Sequence, residues 1–167
     1  SVVTGNFGHL TLNTLTNGLL YEWNQNNEFE QHQVLGTLTI DQGWIVLDKS
    51  GAITNTTFGD IILKNVNSYL DFHSGNHPGI FRIATGDLTN IGGALNGICN
   101  GNGDVRLTVN GDFTNLGNVV LVYNTGVQGT GNGNAYIKVS GTYTQQTGDF
   151  RGIFNLTTTQ AGRTEID

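Results

Sequence analysis

Short segments of alternating apolar and polar residues recur along the chain, each at the same register relative to a glycine. Residues 86–92, 111–117 and 141–147 align directly with one another, and weaker copies precede them. The six copies begin at Gly5, Gly36, Gly59, Gly86, Gly111 and Gly141, which lie 23 to 31 residues apart. A repeat of this length with variable loops is typical of solenoid proteins, in which each copy forms one turn.

The alternation around each glycine predicts a half-buried strand, because successive side chains of a strand point to opposite faces. The apolar residues two positions after the glycines are Phe7, Leu38, Ile61, Leu88, Phe113 and Tyr143. The polar residues between them are Asn6, Thr37, Asp60, Asp87, Asp112 and Thr142. The residues two positions before the glycines are Val3, Val34, Thr57, Ala84, Val109 and Val139. We expect the first and third sets to face inward, with each glycine at a bend or bulge.

Further strands are predicted between the repeated segments, at residues 44–47, 69–72, 119–123 and 135–139. Glycine- and asparagine-rich turns such as residues 129–134 separate them. No window has the 3.6-residue periodicity of a helix. Residues 21–33 depart from the repeat, which predicts a possible irregular insertion there.

These features predict an all-β fold, namely a single-stranded parallel β-helix (β-solenoid) of about five to six coils. One repeat is too short to bury its own apolar face, whereas stacking at about 4.8 Å per coil would create a shared interior. We expect residues 1–167 to form one such segment of a longer chain. A β-sandwich is the alternative, because short strands separated by turns also fit that fold.

Composition supports β structure and restricts the partners. Charged residues make up 12% of the chain and glycine supplies 25 of its 167 residues. The net charge of −6 argues against nucleic acid as a partner, since phosphate binding needs clustered positive charge. No apolar run is long enough to predict membrane insertion. Cys99, the single cysteine, is expected to be a small buried side chain.

Residues 109–115 and 139–150 resemble the degenerate repeats of large secreted bacterial β-helix proteins, in particular repeat-rich surface proteins and adhesins. The similarity extends over residues 79–167. It implies export, an extracellular or cell-surface location, and a role as a stalk, adhesin or display surface. The implied partners are cell-surface or extracellular polysaccharide, or neighbouring domains or copies of the same protein.

Three aspartates are the main candidates for a binding site. Asp60, Asp87 and Asp112 occupy one outward position of successive copies, so their carboxylates could stack about 4.8 Å apart. Such a row could bind calcium or a sugar, although aspartate is also a common solvated turn residue. Asp71, His73 and His77 form a second candidate metal cluster, for which a surface loop is the alternative interpretation.

The aromatic residues suggest one further contact site. Trp23 and Tyr21 lie in the polar segment where the repeat fails, and irregular insertions on repeat scaffolds often bind ligands. Trp44 begins an apolar run and is expected in the core.

No catalytic constellation is found, so we expect a non-enzymatic structural or adhesive segment without a cofactor. The alternatives are a carbohydrate-binding or polysaccharide-active, lyase-like β-helix that uses calcium, and a self-assembling extracellular filament subunit.

Overall fold

The computed structural model describes residues 6–13, 20–25, 32–49, 53–75, 80–99, 104–124, 134–155 and 164–167. Within these ranges the chain forms strands and turns and no helix, so the all-β prediction is confirmed. The strands join into one sheet of parallel strands that curls into a half-barrel. The described part of the chain contains no helix long and apolar enough to cross a membrane.

The strands fall into three rows, and each unit of the repeat contributes in turn to the first, second and third row. The first row contains β1 (Asn6–Phe7), β5 (Ile53–Leu63), β7 (Ile80–Thr85), β10 (Asp104–Val109), β13 (Ala135–Val139) and β16 (Thr164–Ile166). The second contains β2 (Leu10–Asn13), β8 (Leu88–Asn90), β11 (Phe113–Asn115) and β14 (Tyr143–Gln145). The third contains β3 (Leu20–Gln25), β6 (Ser68–Gly75), β9 (Ala94–Cys99), β12 (Asn118–Asn124) and β15 (Phe150–Asn155). The long strand β4 (His32–Lys49) runs through all three rows, and β5 continues into the second.

Every pairing between described strands is parallel, and each joins a unit to an adjacent one in the sequence. The sheets of an immunoglobulin-like β-sandwich are antiparallel, so this pairing favours the first of the two predicted folds. The pairing also explains why the repeat is visible in the sequence, because equivalent residues of successive units become direct neighbours.

The core is a set of columns formed by equivalent apolar residues. In the second row the structure aligns Leu10, Leu38, Ile61, Leu88, Phe113 and Tyr143. Leu38, Ile61, Leu88 and Phe113 are fully buried, which confirms the inward position predicted for these four residues. In the third row Ile45, Leu70, Leu95 and Val119 form an equivalent buried column. Apolar burial in such columns is the main stabilising contribution available to a fold with few charges.

Two members of the predicted apolar column are placed differently in the structure. Phe7 pairs with Val34, whereas Leu10 pairs with Leu38, so the counterpart of Gly36 in the first unit is Gly8. Tyr143 keeps its place in the column but is 42% exposed. It lies in β14, which pairs only with β11 among the described strands, so no further unit covers it.

Two inward positions before the glycines were also predicted wrongly. Thr57 is exposed and Ala84 is half-buried, while the adjacent Phe58 and Thr85 are buried. The reason is a register shift in β4 after Val34, which gives that unit one more residue before its bend than β5 has. A shift of one residue exchanges the two faces of a strand, so a fixed spacing from the glycine fails in these units.

The predicted insertion at residues 21–33 is largely regular structure. Strand β3 pairs with β4 over its whole length, from Leu20 opposite Trp44 to Gln25 opposite Lys49. Residues 32 and 33 already belong to β4, and residues 26–31 lie outside the described part of the chain. The prediction of an insertion is therefore wrong for residues 21–25 and 32–33.

Candidate functional site

A column of glycines forms the corner between the first and second rows. The backbone N–H of Gly86 donates to the carbonyl of Gly59 at 2.5 Å, Gly111 donates to Gly86 at 3.0 Å, and Gly141 donates to Gly111 at 2.9 Å. A β-carbon built at Gly59 would lie 2.5 Å from the carbonyl oxygen of Gly36, well inside van der Waals contact. Only glycine permits backbones to approach this closely, so the column fixes where the next residue of each unit projects.

The three candidate aspartates follow these glycines and form a carboxylate ladder. The N–H of Asp87 donates to Asp60 Oδ1 at 2.8 Å, and the N–H of Asp112 donates to Asp87 Oδ1 at 2.9 Å. Thr142 continues the ladder by donating its N–H to Asp112 Oδ1 at 2.8 Å. Each of the three carboxylates is therefore a hydrogen-bond acceptor for the backbone of the next unit.

His9 occupies the equivalent position in the first unit. The N–H of Thr37 donates to His9 Nδ1 at 2.9 Å, which repeats the geometry of the aspartates with an imidazole as the acceptor. The sequence analysis missed His9 because it aligned the first unit on Gly5. The signal was present as a second glycine, Gly8, followed by a polar residue and then Leu10.

The carboxylates of the ladder cap backbone N–H groups, and their arrangement is not that of ligands around a cation. Each aspartate uses one carboxylate oxygen to satisfy an amide, as a side chain does when it caps a helix or turn. Among the described residues no group of three or more His, Cys, Asp or Glu side chains could hold a metal ion. Of the second candidate cluster, the side chains of Asp71 and His73 and the whole of His77 lie outside the described part.

Two asparagines extend the stacking into the interior. Asn90 and Asn115 are 1% and 0% exposed, and they occupy the inward position that Leu63 fills in the preceding unit. Asn90 Nδ2 donates to Asn115 Oδ1 at 3.2 Å and to the Gly93 carbonyl at 3.1 Å. Buried polar groups are tolerated when they are hydrogen-bonded, and these amides satisfy both each other and the adjacent turn. The repeated Thr-Asn dipeptide was the available signal in the sequence.

The aromatic residues are arranged differently from the prediction. Trp44 is 38% exposed and lies beside Tyr69, which is 37% exposed, with ring centroids 6.0 Å apart and an interplanar angle of 50°. The prediction that Trp44 lies in the core is wrong, because the following residue, Ile45, takes the buried position of this strand. Tyr21 pairs with Ile45 and Trp23 with Leu47 through their backbones. Their side chains lie outside the described part, so ligand contact there stays a prediction.

The interior opens into a recess at the last described units. Ile137, Val139, Gly141, Tyr143, Phe150, Ile166 and Asp167 line a volume of about 260 Å³. The Tyr143 ring packs edge-on against Phe113, with centroids 5.1 Å apart, and against Phe150 at 6.0 Å. Partial burial raises the pKa of the Tyr143 phenol, and a side-chain hydrogen bond with Asn115 acts in the opposite direction.

The comparisons with known proteins identify no relative, so a proposed function has to rest on the geometry described above. No protein-family model matches the chain, and neither the curated proteins nor the solved structures contain a significant match.

Replacing Asp87 distinguishes the effect of the hydrogen-bond acceptor from the effect of the negative charge. Asp87→Ala removes the acceptor for the Asp112 amide and should lower the free energy of unfolding by about 1 kcal/mol. Asp87→Asn keeps an Oδ1 acceptor and should cost less than half of that. Chemical denaturation of both variants measures the difference.

Asp149 provides the matched control for this experiment. It is an exposed aspartate whose carboxylate contacts Arg151 at 3.0 Å, and surface ion pairs of this kind contribute little. Asp149→Ala should therefore change stability less than Asp87→Ala. Equal losses for Asp87→Ala and Asp87→Asn would contradict the capping role, because the charge and not the acceptor would then matter.

Proposed function

We propose that this chain is a non-enzymatic structural or adhesive segment of a secreted or cell-surface protein, folded as a parallel β-helix of about five to six turns. The observation that carries the proposal is the parallel, register-matched pairing of each unit with its neighbours in all three rows. The buried columns that cross several units add to its support. The resemblance to secreted bacterial β-helix proteins supports the location.

The proposed architecture suits a stalk or display surface. Each turn of a β-helix adds about 4.8 Å along the axis, so the length of the protein is set by the number of repeats. The inward columns and the corner glycines maintain the stack, and outward residues of the strands are left free to vary. A rod of this kind can hold an attached domain away from a cell or present its own outer face to a partner.

A polysaccharide-active enzyme is less well supported by the same geometry. A calcium-dependent active site on the aspartate row would need carboxylate oxygens that converge on one point. The observed ladder instead directs Asp60, Asp87 and Asp112 each to the amide of a different residue. The carboxylates are thereby spread along the axis as caps for successive units.

Deleting one repeat tests the proposed β-helix. Asn90 and Asn115 are equivalent and lie 25 residues apart, so removing residues 86–110 removes one complete turn. We expect this variant to remain folded, with β-sheet circular dichroism and a cooperative but less stable unfolding transition, because new neighbours meet in register. Deleting residues 86–97, about half a turn, is the control and should prevent folding. Loss of folding in both deletions would contradict the proposal.

Antibody labelling of the source cells tests the proposed location. An antibody raised against the chain should label intact cells or the culture medium. Permeabilisation should not be needed for the signal, because a surface segment is already accessible. Labelling seen only after permeabilisation would show an internal protein and overturn the proposed surface role.

A self-assembling filament is the second candidate function, and the apolar recess favours it. Exposed strand edges can pair with another chain, and β14 and β15 each have one strand partner among the described residues. The recess beside these edges exposes Tyr143 and Ile166, which are 42% and 69% accessible. A further unit from a second copy could cover both side chains and extend the rows in parallel.

A lysine at Ile166 tests this assembly. Sedimentation velocity of the wild-type chain should show association that rises with concentration, and Ile166→Lys should shift it towards monomer by placing a charge in the contact. Leu35 is also 69% exposed but lies at the bend of β4, so Leu35→Lys is the matched control and should associate like the wild type. A wild-type chain that stays monomeric at every concentration would exclude the filament.

A further inference from the structure

The exposed aromatic pair belongs to a line of outward residues that crosses the third row. The line consists of Trp44, Tyr69, Ala94, Asn118 and Asp149. Four steps between neighbouring strands give it a length of about 19 Å. We propose that this line binds a neutral polysaccharide chain, with the two rings as its stacking platform. This site goes beyond the structural role proposed above, and it can fail while that role stands.

The two rings provide an apolar, pre-positioned surface. Trp44 and Tyr69 are paired residues of the adjacent parallel strands β4 and β6, so their backbones are fixed by the sheet, and their rings contact each other at a centroid distance of 6.0 Å. A pyranose ring has a face of C–H groups that packs against an aromatic ring, and tryptophan and tyrosine combine a large apolar area with a polar edge. Because the sheet already orders both side chains, binding costs less conformational entropy than it would on a loop.

The remainder of the line is suited to sugar hydroxyls. Ala94 follows the rings with a short side chain, which leaves space above the sheet at that strand. Asn118 and Asp149 are exposed, and they add carboxamide and carboxylate groups to the same line. A few well-placed polar groups beside aromatic side chains are what a site needs to orient a ligand rich in hydroxyl groups.

The size and charge of the line favour a glycan over other partners. Aromatic side chains offer about 150–250 Å² each, so the exposed fractions of 38% and 37% amount to about 150 Å². A stable protein interface needs about 800 Å² per partner, far more than the rings supply. The net charge of −6 disfavours nucleic acid and acidic polysaccharides, which leaves neutral glycans as the matching class.

Titration with neutral glycans tests the site. The full chain would be titrated by calorimetry with gluco-, manno- and xylo-hexasaccharides and with the corresponding soluble polysaccharides. We expect at least one of them to bind. Trp44→Ala and Tyr69→Ala should each weaken that binding about tenfold or more, and Trp44→Phe should retain most of it by keeping a ring.

Tyr136 provides the matched control on a different strand row. It is a half-buried tyrosine of β13 whose ring lies 4.7 Å from the Arg106 guanidinium carbon, and Tyr136→Ala should bind glycans like the wild type. Thermal unfolding of each variant identifies any general loss of structure, in which case Trp44→Leu and Tyr69→Leu, which keep an apolar side chain but no ring, replace the alanine variants. The proposal is overturned if no glycan binds the wild type, or if binding does not change in the ring variants. It is equally overturned if Trp44→Ala abolishes self-association and no glycan binds, since the pair would then join copies of the chain.

Discussion

The close stacking of glycine backbones at the corner is the constraint on which the other columns depend. A β-carbon at Gly141 would lie 2.5 Å from the carbonyl oxygen of Gly111, so a side chain there would force the two units apart. Separation would break the corner hydrogen bond and loosen the apolar contacts on both sides of it. The glycine column thus sets the distance between units, and through that distance it sets which residues of the second row can meet.

Proximity to this corner also explains which features the sequence could predict. The buried column and the aspartate ladder follow the glycine by only one or two residues, with no room for a change of register between them. Before the glycine the spacing varies by one residue between β4 and β5, and the prediction for Thr57 and Ala84 failed there. At the first unit Gly5 and Gly8 both fit the apolar pattern, and only the pairing of Leu10 with Leu38 distinguishes them.

The third row was harder to predict because the glycines that precede it, Gly43, Gly93, Gly117 and Gly148, are interrupted by Ser68 in one unit. Residues 44–47 are all apolar, so their pattern cannot say which of them face inward. The structure resolves the ambiguity through the neighbouring strand, because Ile45 pairs with Leu70 and both are buried, which places Trp44 and Tyr69 outside. The sequence analysis also missed β3, whose polar residues resembled a loop until pairing with β4 placed them in the sheet. The buried asparagines were missed for a related reason, since only their partners make them acceptable in the core.

The aspartate ladder contributes more to the choice of register than to net stability. In the correctly aligned stack each hydrogen bond of the ladder contributes about 1 kcal/mol. A slip of one residue would remove the amide from Asp87 and turn the carboxylate towards the apolar column that contains Leu88 and Phe113. Burying an unpaired carboxylate costs several kcal/mol, so the ladder disfavours misaligned stacks by more than it stabilises the correct one. The aspartates at the corner therefore serve to align the units. The outward line of the third row has no such role, so its residues can bind a ligand without disturbing the stack.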